Sequence, residues 1–116
     1  MKNSILEVRH EVRSLTPANA EVWFTVVTDH VTSTTEIRGR VVGPRCPSHS
    51  TIEVAYSLQQ LSHNEKTSSL TMRVVIPEPS LWKPDAPFLY HAHMELWEDG
   101  ERCAEYEFDL GLRTRE

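Results

Sequence analysis

Apolar and polar residues alternate along most of the chain. Leu6, Val8, His10 and Val12 share one parity within 5–12, Ile52, Val54, Tyr56 and Leu58 within 51–58, and Leu70, Met72, Val74 and Ile76 within 69–76. Tyr90, Ala92, Met94 and Leu96 form a further set, and Ala104, Tyr106, Phe108 and Leu110 the last. A period of two places each set on one face of a β-strand, turned toward a core, with the intervening residues facing water. Segments 21–28 and 36–42 are rich in β-branched residues and read as strands whose inward parity is ambiguous. Breaks fall at Thr16-Pro17-Ala18-Asn19, Gly43-Pro44-Arg45-Cys46-Pro47 and Ser62-His63-Asn64-Glu65. About seven short strands without helical periodicity predict an all-β fold, an immunoglobulin-like antiparallel β-sandwich forming one domain over 1–116.

The last hairpin constrains its own register. A two-residue turn at Asp99-Gly100 would set Met94 opposite Glu105 and Glu95 opposite Ala104. The two apolar sets would then point to opposite sides of the sheet. A three-residue loop, Glu98-Asp99-Gly100, with Gly100 in the left-handed position of a bulged turn, restores agreement. That register predicts Met94 facing Ala104, Ala92 facing Tyr106, and Tyr90 facing Phe108. It also sets His93 opposite Glu105 and His91 opposite Glu107 on the solvent side.

Size and charge narrow the possibilities. A chain of 116 residues fills one sandwich, whereas a (β/α)₈ barrel takes about 250 residues. With 39% hydrophobic and 25% charged residues, the composition is that of a globular domain. A net charge of −5 repels phosphate backbones, so nucleic acid is not an expected partner. No apolar run approaches the roughly 20 residues of a membrane helix. The opening Met1-Lys2-Asn3-Ser4-Ile5-Leu6-Glu7 turns polar too early for a signal peptide. As it stands the sequence reads as cytoplasmic, although the leader of a longer parent would lie upstream. The two cysteines, Cys46 and Cys103, are read as reduced thiols, with an inter-sheet disulfide the alternative. They have no CxxC spacing for a metal.

Candidate chemistry is sparse. His91-Ala92-His93 presents two imidazoles on one face, which hold zinc on a strand if a third ligand converges. The plainer reading is a pair of cross-strand His–carboxylate contacts, worth a few tenths of a kcal/mol up to about 1. His10, His30, His49 and His63 are scattered, and no role follows from their positions. Glycosidic cleavage needs two carboxyls flanking a bond in a cleft, and no spacing here singles out such a pair. GxSxG, HExxH, P-loop and GxGxxG motifs are absent from the sequence. No catalytic residue, metal or cofactor is therefore expected. Trp97 falls on the outer parity of its strand. It would either stack on a sugar or partner, or pack over the Arg102 stem or a loop.

The most distinctive stretch is Ile76-Pro77-Glu78-Pro79-Ser80-Leu81-Trp82-Lys83-Pro84-Asp85-Ala86-Pro87-Phe88-Leu89-Tyr90. Leu81, Trp82, Pro84, Pro87, Leu89 and Tyr90 resemble the strand-loop-strand of the immunoglobulin-like domain in glycoside hydrolase family 2, the family of β-galactosidases, β-glucuronidases and β-mannosidases. Leu110-Gly111-Leu112-Arg113-Thr114-Arg115-Glu116 resembles the close of that domain, with Gly111 and Arg113 matching and Leu110 in place of a Phe. Pro84 and Pro87 stiffen the loop on physical grounds alone. Trp82 is expected to cover the open end of the core, with a cost of roughly 3–5 kcal/mol for Trp82→Ala. Tyr90, inward by parity, needs a backbone partner for its hydroxyl.

In that family the domain sits between a jelly roll and a catalytic (β/α)₈ barrel that carries the catalytic glutamates. The resemblance implies a non-catalytic module that braces the barrel or a neighbouring domain and sometimes builds homo-oligomer interfaces. It also puts Arg113 at the junction with the barrel. The competing expectation is a free-standing sandwich that binds a glycan or protein through Trp97, His91 and His93.

Overall fold

A computed structural model describes residues 3–113. Alternation becomes two facing antiparallel sheets. The first contains β1 (Ile5–Leu15), β2 (Asn19–Thr28), β5 (Gln59–Asn64) and β6 (Ser69–Pro77), in the order β1-β2-β6-β5. The second contains β3 (Thr35–Arg45), β4 (Val54–Ser57), β9 (Leu89–Glu98) and β10 (Glu101–Leu110), in the order β10-β9-β3-β4. A small ribbon of β7 (Trp82–Lys83) and β8 (Ala86–Pro87) lies between β6 and β9 in the chain. The expected sandwich is present, with eight strands in its sheets where about seven were anticipated. The segment 51–58 is not one strand. The chain passes from β4 in one sheet to β5 in the other, and the Leu58 N–H donates to the Gly39 carbonyl at the crossing, 3.0 Å.

The core forms where the central strands face each other. Even positions of β2 (Ala20, Val22, Phe24, Val26) and β6 (Leu70, Met72, Val74, Ile76) meet Ile37 and Val41 of β3 and Tyr90, Ala92, Met94 and Leu96 of β9, all buried. This resolves the ambiguous parities and sends Trp23 outward. The sets predicted for edge strands are only half right. A bulge between Ile5 and Glu7 leaves Leu6 60% exposed, while Val8 and Val12 pack on the core. His10 stacks on Phe108, 5.7 Å between ring centres, across the seam between the sheets. Tyr56 and Leu58 pack inward, but β4 begins only at Val54. Ile52 and Val54 are 87% and 44% exposed. Tyr106, on the edge strand β10, is 39% exposed. The break expected at Ser62-His63-Asn64-Glu65 lies later, because β5 runs through Asn64, whose side chain then accepts N–H bonds from Lys66 and Thr67.

The β9–β10 hairpin corrects the predicted register. Glu98 pairs with Glu101 and Trp97 with Arg102, so the turn is the two-residue Asp99-Gly100. Both turn residues have positive φ, 52° and 75°, the conformation that matches strand twist. A bulge at Cys103 then shifts β10 by one residue. Met94 faces Tyr106, Ala92 faces Phe108 and Tyr90 faces Leu110, in place of Ala104, Tyr106 and Phe108. His93 lies opposite Glu107 and His91 opposite Asp109. The conflict of faces is real, and one extra residue inside the strand removes it where a longer loop was expected.

The molecule extends 45 × 25 × 20 Å, and the chain enters and leaves at opposite ends. At the entry end Asn3 is buried. Its side chain donates to the His30 carbonyl and accepts from the Ser4 and His30 amides. Glu98 accepts from Thr35 at 2.9 Å and contacts His30 at 3.0 Å. Cys46 and Cys103 are free thiols.

Candidate functional site

The motif residues gather at the exit end. Trp82 pairs with Pro87 and Lys83 with Ala86, so Pro84 and Asp85 form the tip of the ribbon. Proline fits there because it presets φ for a tight turn. Leu89 is half-buried and pairs with Arg45 of β3. Tyr90 is 1% exposed, and its hydroxyl accepts the Ser80 N–H at 2.9 Å. This is the backbone partner its burial required. Burial pushes the phenol above its ordinary pKa of 10.0, opposed by the Ser80 hydrogen bond.

Trp82 joins the two halves of the motif. Its backbone N–H donates to the Leu112 carbonyl at 2.8 Å. A Cβ at Gly111 would lie 2.9–3.0 Å from the Trp82 side chain, so only glycine permits this approach. The Arg113 guanidinium lies over the Trp82 ring, 4.5 Å from its centre. Trp82 itself is half-buried and outside the core cluster, whereas Leu81 packs against that cluster and Leu112 lies within it. The plug of the sandwich end is therefore Leu81 with Leu112. Trp82 clasps the departing strand from outside.

The outer face of the β10-β9-β3-β4 sheet carries the other candidates. His91 contacts Asp109 at 2.8 Å and Glu107 at 3.6 Å, and His93 contacts Glu105 at 3.3 Å and Glu107 at 3.6 Å. The two histidines do not converge. His93, Glu95 and Glu105 instead bring ligand atoms within 4.8 Å of one another, because the Cys103 bulge sets Glu105 directly opposite Glu95. Arg102 already neutralises these carboxylates, 3.1 Å from Glu95 and 3.8 Å from Glu105. The Trp97 N–H first and Arg102 second hold the Glu95 carboxyl below its ordinary pKa of 4.5. A general acid needs the opposite shift and a cleft, and Glu95 sits on a sheet face.

Trp97 lies directly opposite Arg102 across the β9–β10 pair. Arg38 of β3 covers its ring at 4.0 Å, and its N–H donates to Glu95 at 3.1 Å. The opposite sheet repeats the device at a place sequence reasoning missed. Arg13 covers Trp23 at 3.9 Å, and the Trp23 N–H donates to Glu21 at 2.6 Å. The shared signal is Glu-x-Trp at 21–23 and 95–97. Shallow depressions of about 410 Å³ beside Trp23 and about 400 Å³ beside Arg38 and Arg40 accompany the two tiles. With the indole faces covered, a sugar ring would have to displace a guanidinium to stack on either one. Among the described residues, no buried side-chain polar atom lacks a hydrogen-bond partner.

Comparison with known proteins settles the lineage. The sequence profile of Glycosyl hydrolases family 2 matches residues 5–113. The chain belongs to this family. Its fold is similar to part of a β-glucuronidase from Bifidobacterium dentium, solved with coumarin-3-O-glucuronide, at TM-score 0.70 and 20% identity over 99% of this chain and 19% of that one. A glycosyl hydrolase family 2 member from Bacteroides cellulosilyticus gives TM-score 0.69 and 21% identity, over 97% of this chain and 15% of that one. A β-glycosidase from Bacteroides vulgatus gives 0.66 and 17%, over 99% and 14%. No curated protein matches the sequence. This family 2 chain thus spans less than a fifth of the length of these enzymes.

Proposed function

We propose that this family 2 domain is a non-catalytic immunoglobulin-like module whose work is to hold a catalytic barrel, or a neighbouring domain, in place within an O-glycosyl hydrolase. The observation that carries the reading is the clasp of Trp82 on Gly111 and Arg113. The motif residues are spent on fixing the path by which the chain leaves the sandwich, and none forms a reaction centre. The small share of each relative that the chain covers supports the same reading. A free-standing glycan- or protein-binding module built on Trp97, His91 and His93 is less well supported, because Arg38 and the carboxylates of β10 already occupy those side chains.

The test is hydrolysis. This chain alone is expected to leave nitrophenyl β-glycosides intact, and a full-length protein that contains it is expected to cleave one of them. Turnover by the isolated chain, or a full-length protein without glycosidase activity, would overturn the reading.

A further inference from the structure

The outer face of the β9–β10 hairpin carries an excess of negative charge. Glu95 of β9 meets Glu105, Glu107 and Asp109 of β10 there, and among the described residues Arg102 is the one arginine paired with any of them. The imidazole of His93 stands among these carboxylates. Its Nε2 lies 3.3 Å from Glu105 and 3.6 Å from Glu107, and His93, Glu95 and Glu105 each hold a ligand atom within 4.8 Å of the others. Tetrahedral zinc, bound at about 2.0–2.2 Å, keeps its ligands about 3.4 Å apart. The His93–Glu105 edge therefore already has the spacing of a coordinated pair. The side chains of His93 and Glu95 are only 25% and 24% exposed, so they are held in place rather than free to sweep through water. The Trp97 indole N–H fixes Glu95 at 3.1 Å, the kind of contact that orients a metal ligand.

We propose that His93, Glu95 and Glu105 form a binding site for a divalent cation of the zinc class, which exchanges with the Arg102 guanidinium. The position is one that a cation already takes, since Arg102 lies 3.1 Å from Glu95 and 3.8 Å from Glu105. Its side chain is exposed, so it can swing into water and leave both carboxylates to an ion. Carboxylates alone would suit calcium or magnesium, which take oxygen ligands. The imidazole nitrogen shifts the preference to zinc, nickel or copper. His91 stands apart, because its contacts are to Asp109 and Glu107. Glu95 and Glu105 face each other across the strand pair, beside the Cys103 bulge. An ion between them ties β9 to β10 next to the place where their ladder is interrupted. It binds the folded chain in preference to the unfolded one, so the melting temperature rises with its concentration.

The experiment titrates the chain with zinc chloride and, separately, with magnesium chloride, followed by calorimetry and by melting temperature. Zinc is expected to bind at one site and raise the melting temperature, and magnesium to do neither. Losing even a residue that only orients a ligand costs about 10–100-fold in affinity, so His93→Ala is expected to weaken zinc binding by about 100-fold or more. Glu95→Gln keeps an oxygen to accept the Trp97 N–H and is expected to weaken it by about tenfold or more. Arg102→Gln is expected to tighten zinc binding, because it removes the competing cation and leaves all three ligands. His91→Ala is expected to leave the affinity unchanged. Cooperative melting without metal checks the fold of each variant, and the conservative Glu95→Gln carries the test if His93→Ala does not fold. The inference is overturned by an absence of zinc binding, by zinc binding that survives these two substitutions (an adventitious ion only), or by equal binding of magnesium. It is equally overturned if Arg102→Gln binds zinc no more tightly than the unaltered chain.

Discussion

Gly111 and Trp82 show how one contact can fix two residues at once. The indole rests where a side chain would otherwise stand, so Gly111→Ala forces either the ring or the strand to move. Overpacking of this kind costs about 1–3 kcal/mol, measurable by urea denaturation. Trp82→Ala removes a half-buried ring, and its cost should be about 2 kcal/mol, below that of a core tryptophan. The double variant should lose less than the sum of the two, because without the indole there is nothing for the added methyl to strike. Full additivity would show that the two residues act independently. Tyr90→Phe leaves the Ser80 N–H without its partner and should cost about 1–2 kcal/mol with no change in far-ultraviolet circular dichroism.

Among the strands, β10 is the most informative. Its Cys103 bulge reconciles a tight Asp99-Gly100 turn with an inward Phe108 and Leu110. Deleting Cys103 would remove the unpaired residue and leave Ala104 opposite Leu96 and Tyr106 opposite Met94 in an uninterrupted register, with the apolar face still inward. The deletion variant should therefore keep cooperative unfolding, as should Cys103→Ala, and a deletion variant that unfolds non-cooperatively would show that the bulge itself is required. This strand also marks the boundary of what could be read from sequence. The alternation at 69–76 and 90–96 translated directly into buried positions, because central strands are covered along their whole length. Edge strands carry the same alternation, but bulges at Leu6 and Cys103 and the late start of β4 depend on pairing partners that no local pattern reveals. The motif loop was legible as a unit because prolines restrict it. The clasp between Trp82 and Gly111 was not, since it joins residues far apart in sequence. The Trp23 tile was hidden because Trp23 and Phe24 are adjacent large apolar residues, and only the opposing sheet decides which one turns inward.

At the scale of the molecule, acid should loosen the entry end first. His30 foremost, then Thr35 and Asn3, holds the Glu98 carboxyl below its ordinary pKa of 4.5. A lowered folded-state value means that the stabilisation is complete above that ordinary value and is lost as pH falls through the folded value. Glu98→Gln should therefore flatten the acid limb of a melting-temperature profile below about pH 4.5 and change its neutral plateau by a smaller, pH-independent amount. An unchanged acid limb would show that the cluster does not couple to folding.

The placement of Asn3 and Leu112 at opposite ends of the sandwich has a mechanical consequence. Tension applied through flanking domains pulls β1 from its Ile5 end and β10 from its Leu110 end, along the strand axes and in opposite senses. The hydrogen bonds joining β1 to β2 and β10 to β9 are then loaded together in shear and cannot be peeled apart one at a time. A module threaded in this way resists stretching and behaves as a stiff strut between whatever is attached to its two ends.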